Sequence, residues 1–134
     1  MRYLLDTNII IYFLKNGNEN IAKKLSETNE FSIVIPSVVK AEIEYRASKA
    51  QDYQKTISVY NEFINNFSIL PFDDKAAVKY GQIRSNLEKK GQIIGGNDML
   101  IAAIAMSNNC VLVTHNVAEF SRVEGLFLED WSIA

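Results

Sequence analysis

Short apolar runs recur along the chain at Arg2 to Leu5, Phe31 to Ile35, Phe67 to Leu70, Cys110 to Thr114 and Leu126 to Leu128. Each has the length of a strand, and the stretches between them carry helical spacing, so the pattern predicts crossover units and a mainly parallel sheet. The first run leads into Ile9 to Leu14, apolar throughout, which predicts a buried helix opening at Thr7-Asn8-Ile9. Pro36-Ser37 starts another helix, in which Val38, Ala41, Glu42 and Tyr45 share one side. From Tyr53 to Asn66, Ile57, Tyr60, Phe63, Ile64 and then Phe67 fall at helical intervals. Two long helices are therefore expected to pack as an arm between the second and third strands.

Beyond Pro71, Asp73 and Asp74 suit the exposed start of a helix, which carboxylates stabilise by about 1 kcal/mol. That helix uses Ala76, Ala77, Tyr80, Ile83, Arg84 and Leu87 and ends near Gly91. Gly95-Gly96-Asn97 breaks the chain before a helix over Met99 to Ser107, and the two glycines permit close backbone packing. No repeat, low-complexity tract or linker divides the sequence, so one domain over residues 1–134 is expected.

Composition narrows the chemistry. With 48% apolar and 22% charged residues the chain reads as an ordinary globular one, and Ile9 to Leu14 is too short to span a bilayer. No secretory leader pattern precedes it, so a cytoplasmic location is expected. Cys110 is the single cysteine and sits in an apolar strand, which removes disulfide and thiolate-zinc chemistry within one chain. His115 is the single histidine and is read as a surface loop residue. A net charge of −2 argues against a broadly basic nucleic-acid coat. Positive charge is nevertheless concentrated at Lys75, Lys79, Arg84, Lys89 and Lys90, either as a solvated helix face or as phosphate contacts.

Four acidic positions stand where an element begins or turns. Asp6 closes the first strand, at the carboxyl end where open parallel sheets place their chemistry. Glu42 and Glu44 point about 200° apart around a helix, so one should face the sheet and the other solvent, with Glu42 preferred. Asp98 aligns with Ile101, Ala102 and Ala105 at i+3, i+4 and i+7, the stripe that faces the core. After the fourth strand, Thr114, Asn116 and Glu119 come to the same edge, as turn caps or as further site residues. Carboxylates about 4 Å apart repel by roughly 4 kcal/mol at an effective dielectric near 20. A divalent cation removes that penalty, so one metal site assembled by folding is expected.

The segments Leu4-Leu5-Asp6-Thr7-Asn8, Ser37 to Ile43, Ile94 to Ala103 and Leu112 to Asn116 through Glu119-Phe120, with the ending Arg122 to Trp131, together closely resemble the PIN-domain ribonucleases of the VapC toxin family. The resemblance covers nearly the whole chain. It implies a three-layer α/β/α domain with a central, mainly parallel five-stranded sheet and a helical arm. It also implies a Mg2+- or Mn2+-dependent endoribonuclease, a VapB-type antitoxin, a homodimer and a toxin–antitoxin hetero-oligomer. Asp6, Glu42 and Asp98 match the family's acidic ligands, and Glu119 or Asn116 the more variable fourth position. Two departures stand out: Asn116 where relatives often carry Asp, and Ile104 where they often carry His. Tyr80 to Gly91 is similar to members that cut transfer RNA, particularly initiator transfer RNA in the anticodon region.

On this reading Asp6, Glu42 and Asp98 hold hard cations through oxygen. Thr7, Asn8 and Thr114 orient water or phosphate, and Arg84, Lys89 and Lys90 contact the RNA backbone. Three alternatives keep the fold but change the role. A catalytically silent PIN-like module would bind RNA or protein without cutting. An Asp-based phosphatase needs a second Asp where Asn8 stands. A receiver-type signalling domain needs a phosphoacceptor after its third strand, where the chain has Leu70-Pro71-Phe72.

Overall fold

The computed structural model describes residues 1–134, and a single sheet organises it. Strands β1 (Arg2–Leu5), β2 (Ile33–Pro36), β3 (Ser68–Leu70), β4 (Cys110–Val113) and β5 (Leu128–Glu129) lie in the order β3-β2-β1-β4-β5. Every neighbouring pair is parallel. Helices α1 (Thr7–Asn16), α2 (Glu19–Glu27), α3 (Ser37–Lys49), α4 (Tyr53–Ile64), α5 (Asp74–Lys89), α6 (Gly96–Ser107) and the single turn α7 (Val117–Phe120) make the connections. A parallel sheet needs such crossovers, and the helices cover its faces. The central strands accordingly read as continuous apolar runs: β2 and β4 are buried along their whole length.

One core of 30 buried residues joins the sheet to the helices. Its densest part is α6, where Met99 and Ile101 to Ala105 are all buried. Ile104 is fully buried there, so the position has no route to a polar role. Arm helices α3 and α4 stand between β2 and β3 as expected, with Val39, Ile43 and Ala47 of α3 facing Ile57, Tyr60 and Ile64 of α4 and the remaining core. The side formed by Val38, Ala41, Glu42 and Tyr45 is a different one. It lines an open groove, and Tyr45 is 65% exposed.

Several expected boundaries move. Phe31 belongs to a 3-10 turn over Glu30–Ser32 and is exposed, so β2 begins at Ile33. Phe67 and Thr114 fall just outside their strands, and β5 lies later than Leu126, where pairing with Leu112 and Val113 places it. Helix α1 is buried only at Ile9 and Ile10, with Ile11 to Leu14 half-buried. Helix α2 had no counterpart in the apolar pattern, since it buries only Ile21 fully. Asp73 caps α5 by accepting from Ala76 N at 3.0 Å, as expected. Gly96 and Asn97 form the first turn of α6, which therefore starts earlier than the glycine pair suggests. No helix is long and apolar enough to cross a membrane.

Candidate active site

The carboxyl ends of β1 and β4 are adjacent, because Leu5 pairs with Val113. The next residue on each strand, Asp6 and Thr114, is the only buried polar side chain on its element, and the two are bonded: Thr114 Oγ1 donates to Asp6 Oδ2 at 2.8 Å. Asp6 N donates to Val113 O, which continues the ladder for one residue. Asp6 also caps α1, with Oδ1 accepting from Thr7 N at 2.8 Å. Thus a strand end, a helix start and a buried hydroxyl all fix one carboxylate.

Around it stand three further acids. Thr7 Oγ1 donates to Glu42 Oε1 at 2.6 Å, which ties the α3 carboxylate to the start of α1. Glu44, the competing position, points elsewhere and accepts from Tyr53 Oη on α4. Glu119 is held through both oxygens: Oε1 accepts from Gly95 N at 3.2 Å and Oε2 from Asn116 Nδ2 at 2.9 Å. Asn116 N in turn donates to Thr114 Oγ1. Asn116 and Glu119 are therefore one unit, the amide orienting the acid. Asp98, in the first turn of α6, interacts with Glu119 and lies within Coulomb reach of Asp6 and Glu42. Gly95 packs beside it: a Cβ there would stand 3.4 Å from Asp98 Oδ2, at van der Waals contact. A Cβ on Gly96 would meet nothing within 4 Å, so the close packing expected of both glycines belongs to Gly95 alone.

This crowding raises proton affinity. Burial pushes the Asp6 carboxyl up to about 6 against the hydrogen bonds from Thr114 and Thr7, with Glu42 and Glu119 adding repulsion. Asp98 moves the same way, to about 7, first by burial and then by the charges of Asp6 and Glu119. Both shifts follow from withdrawing carboxylates from water and placing them near one another. No three acidic, histidine or cysteine side chains stand at joint metal-ligating distance. In their place, Thr7, Thr114, Asn116 and Gly95 occupy the carboxylate oxygens. The donor set is nonetheless all oxygen and negatively charged, the type that hard divalent cations bind.

Other candidates sit differently. Asn8 Oδ1 accepts from His115 N, so Asn8 is a strut between α1 and the loop after β4. The His115 ring is exposed and is anchored by Asp130 and Ser132 while packing edge-on to Tyr12. Arg84 is exposed on α5 and engaged with Glu88 and Tyr80 on the same helix. Lys90 pairs with Glu124, and Lys89 is exposed. None of these three cations lines the groove that opens beside Glu42, which has a volume of about 510 Å³. Arg46 and Lys49 do. Their signal in the sequence was helical spacing, i+4 and i+7 from Glu42 on one side of α3.

Comparison with known proteins agrees with this geometry. Residues 3–126 match the family model of the PIN domain. The chain is 40% identical over 134 residues to ribonuclease VapC2 of Rickettsia felis, covering 98% of both chains. It is 36% identical over 132 residues to a tRNA(fMet)-specific endonuclease VapC of Shigella flexneri, covering 98% of this chain and 99% of that one. Among solved structures, a DNA-bound VapBC from Salmonella typhimurium superposes with a TM-score of 0.93 at 36% identity, covering 98% of each chain. A five-stranded parallel sheet with acids gathered at its carboxyl edge, matched along nearly its full length by proteins of this kind, places the chain in the PIN-domain family and in its VapC branch.

Proposed function

We propose that this protein is the toxin of a type II VapBC system, an endoribonuclease that requires Mg2+ or Mn2+ and hydrolyses phosphodiester bonds of transfer RNA. The observation that carries the reading is the gathering of Asp6, Glu42, Asp98 and Glu119 from distant segments onto one sheet edge, with proton affinities of Asp6 and Asp98 raised by burial and neighbouring charge. Such a cluster is costly unless a cation neutralises it. Asp6, Glu42 and Asp98 are the residues that would hold the ion, and Glu119 is available as a fourth acid. When bound, a hard divalent ion supplies a water of lowered pKa and charge stabilisation for the phosphoryl oxygens.

The protein's own groups prepare that chemistry. Thr114 and the α1 amide of Thr7 fix both Asp6 oxygens, Thr7 Oγ1 sets the direction of Glu42, and Asn116 with Gly95 sets Glu119. Positioning of this kind lowers the reorganisation needed on reaction. Initiator transfer RNA, cut in the anticodon region, is the favoured substrate, supported by the name of the Shigella relative and by the Tyr80 to Gly91 segment. A VapB-type antitoxin is the partner, supported by the VapBC complexes among the structural neighbours, and the family resemblance adds a homodimer and a toxin–antitoxin hetero-oligomer. The groove beside Glu42, walled by Ile11, Val38 and Leu100, suits an apolar antitoxin helix that carries a basic side chain toward the acids.

The test is incubation of the purified protein with total transfer RNA, with Mg2+, with Mn2+ and with chelator, beside Asp98→Asn. New RNA ends mapped by sequencing, present only with metal and absent in the variant, are the expected result. Cleavage that persists in chelator, or in Asp98→Asn, would refute the assignment.

A further inference from the structure

A second groove, of about 460 Å³, opens between α1, α3 and α4. Four cations border it: Lys15 from the last turn of α1, Arg46 and Lys49 from the last turn of α3, and Lys55 from the first turn of α4. No carboxylate lines it, and none of the four makes an ion pair in a molecule whose net charge is −2. Helix dipoles account for cations at the ends of α1 and α3, but they disfavour Lys55 at the start of α4. Three helices thus line one groove with cations.

Arg46 and Lys49 border both this groove and the one beside Glu42. Along one side of α3 the chain runs from Glu42 in the acidic pocket through Tyr45 and Arg46 to Lys49, roughly 10 Å at 1.5 Å per residue. Tyr45 is exposed, with Lys49 Nζ 4.6 Å from its ring centroid. An exposed aromatic between an acidic site and a row of cations has the makings of a single-strand platform, bases on the ring and phosphates on the cations.

We infer that this basic groove is the track that carries the backbone of the RNA substrate away from the acidic pocket, with Tyr45 stacking an unpaired base and Lys15, Arg46, Lys49 and Lys55 contacting phosphates. The inference rests on the ribonuclease reading and specifies where its substrate lies. It is an alternative to the α5 cluster of Arg84, Lys89 and Lys90 as the source of phosphate contacts.

The experiment uses the full chain carrying Asp98→Asn, so that labelled transfer RNA is bound without being cut, and measures affinity from 50 to 300 mM salt. Replacement of the exposed Lys15, Lys49 and Lys55 by Gln should weaken binding at least tenfold and reduce the slope of log affinity against log salt by about 2, at ~0.7 per phosphate contact on a single strand. Tyr45→Ala should weaken binding about tenfold while leaving the slope unchanged. Lys23→Gln with Lys24→Gln on α2 removes exposed charge elsewhere and serves as the comparison, and thermal melts of all variants verify folding. Affinity and slope unchanged in the triple variant, or lowered no more than in the α2 pair, would overturn the track and assign the groove to another partner such as an acidic peptide. Loss of binding in the triple variant, together with a protein of native sequence that cuts no RNA, would support the track and overturn the nuclease assignment, so the two can fail separately.

Discussion

The acidic pocket and the outer face of α5 both concentrate charge, and they do so in opposite ways. On α5 and its C-cap the charges are neighbours in sequence, lie in solvent and are of both signs, with Arg84 paired to Glu88 and Lys90 to Glu124. In the pocket the charges are of one sign, come from four separate segments and are partly withdrawn from water, so two of them hold protons far above the ordinary carboxylate range. The first arrangement costs little and contributes little, as exposed ion pairs do. The second opposes folding locally and persists because the surrounding structure over-determines it. Charge density along a sequence is thus a poor guide to a site, and convergence of like charges in space a good one.

The sharpest way to break the contrast is Asp6→Asn. Cleavage should fall by at least about a thousandfold, as for loss of one member of a catalytic unit. Metal-free stability at pH 8 should rise, by up to about 3 kcal/mol at ~1.4 kcal/mol per unit of pKa, because a buried charge is removed while the amide oxygen still accepts from Thr7 N and its NH2 can donate to Thr114 Oγ1, reversing that bond. Urea melts in chelator, set beside turnover, check both halves; a less stable variant would show that Asp6 is no electrostatic burden.

Thr114→Val comes next. It removes a fully buried hydroxyl that donates to Asp6 and accepts from Asn116 N, leaving both partners short of a bond. A loss of about 2–3 kcal/mol is expected by denaturant unfolding, with cleavage reduced as well.

The pH dependence sharpens the comparison further. An unfolded Asp6 releases its proton near 3.8 and the folded one near 6, so between these values the folded state binds more protons. The contribution of Asp6 to metal-free stability should therefore be greatest below about pH 4 and fall as pH rises through 6, at up to ~1.4 kcal/mol per pH unit. Asp98 extends the decline toward 7. Melts from pH 4 to 8 in chelator and in Mg2+ should diverge as pH rises, the cation stabilising most where the acids are ionised. Parallel curves would mean that the cation does not bind these acids. The smallest effect is expected on the other side of the comparison: Arg84→Ala and Lys89→Gln should each change stability by less than about 0.5 kcal/mol and leave cleavage within twofold.

Much of this was legible before folding. Apolar runs announced the strands because β2 and β4 are buried along their whole length and β1 over its second half, and Asp6 and Asp98 were visible because each ends or begins an element beside an apolar stripe. Glu42 and Glu44 could not be separated with confidence, since what distinguishes them is a hydroxyl 35 positions earlier, Thr7. Asn116 and Glu119 read as alternatives for one role, whereas the structure joins them by a hydrogen bond. Helix α2 escaped because it presents only Ile21 and Leu25 to the core, too little for a periodic signal. The basic groove escaped for a different reason: its cations lie on three helices, and no window of sequence contains them all.

The order in which the sheet is built has a consequence in time. Strand β1 leaves the ribosome before the other strands, yet its partner β4 and the hydroxyl of Thr114 come more than a hundred residues later, and Thr114 N is bonded to Glu129 of β5, later still. Pairings this distant form late and slowly. A nascent chain therefore carries Asp6 long before it carries the pocket, and destructive capacity arises only once β4 and β5 have followed, leaving an interval in which a partner can already be waiting.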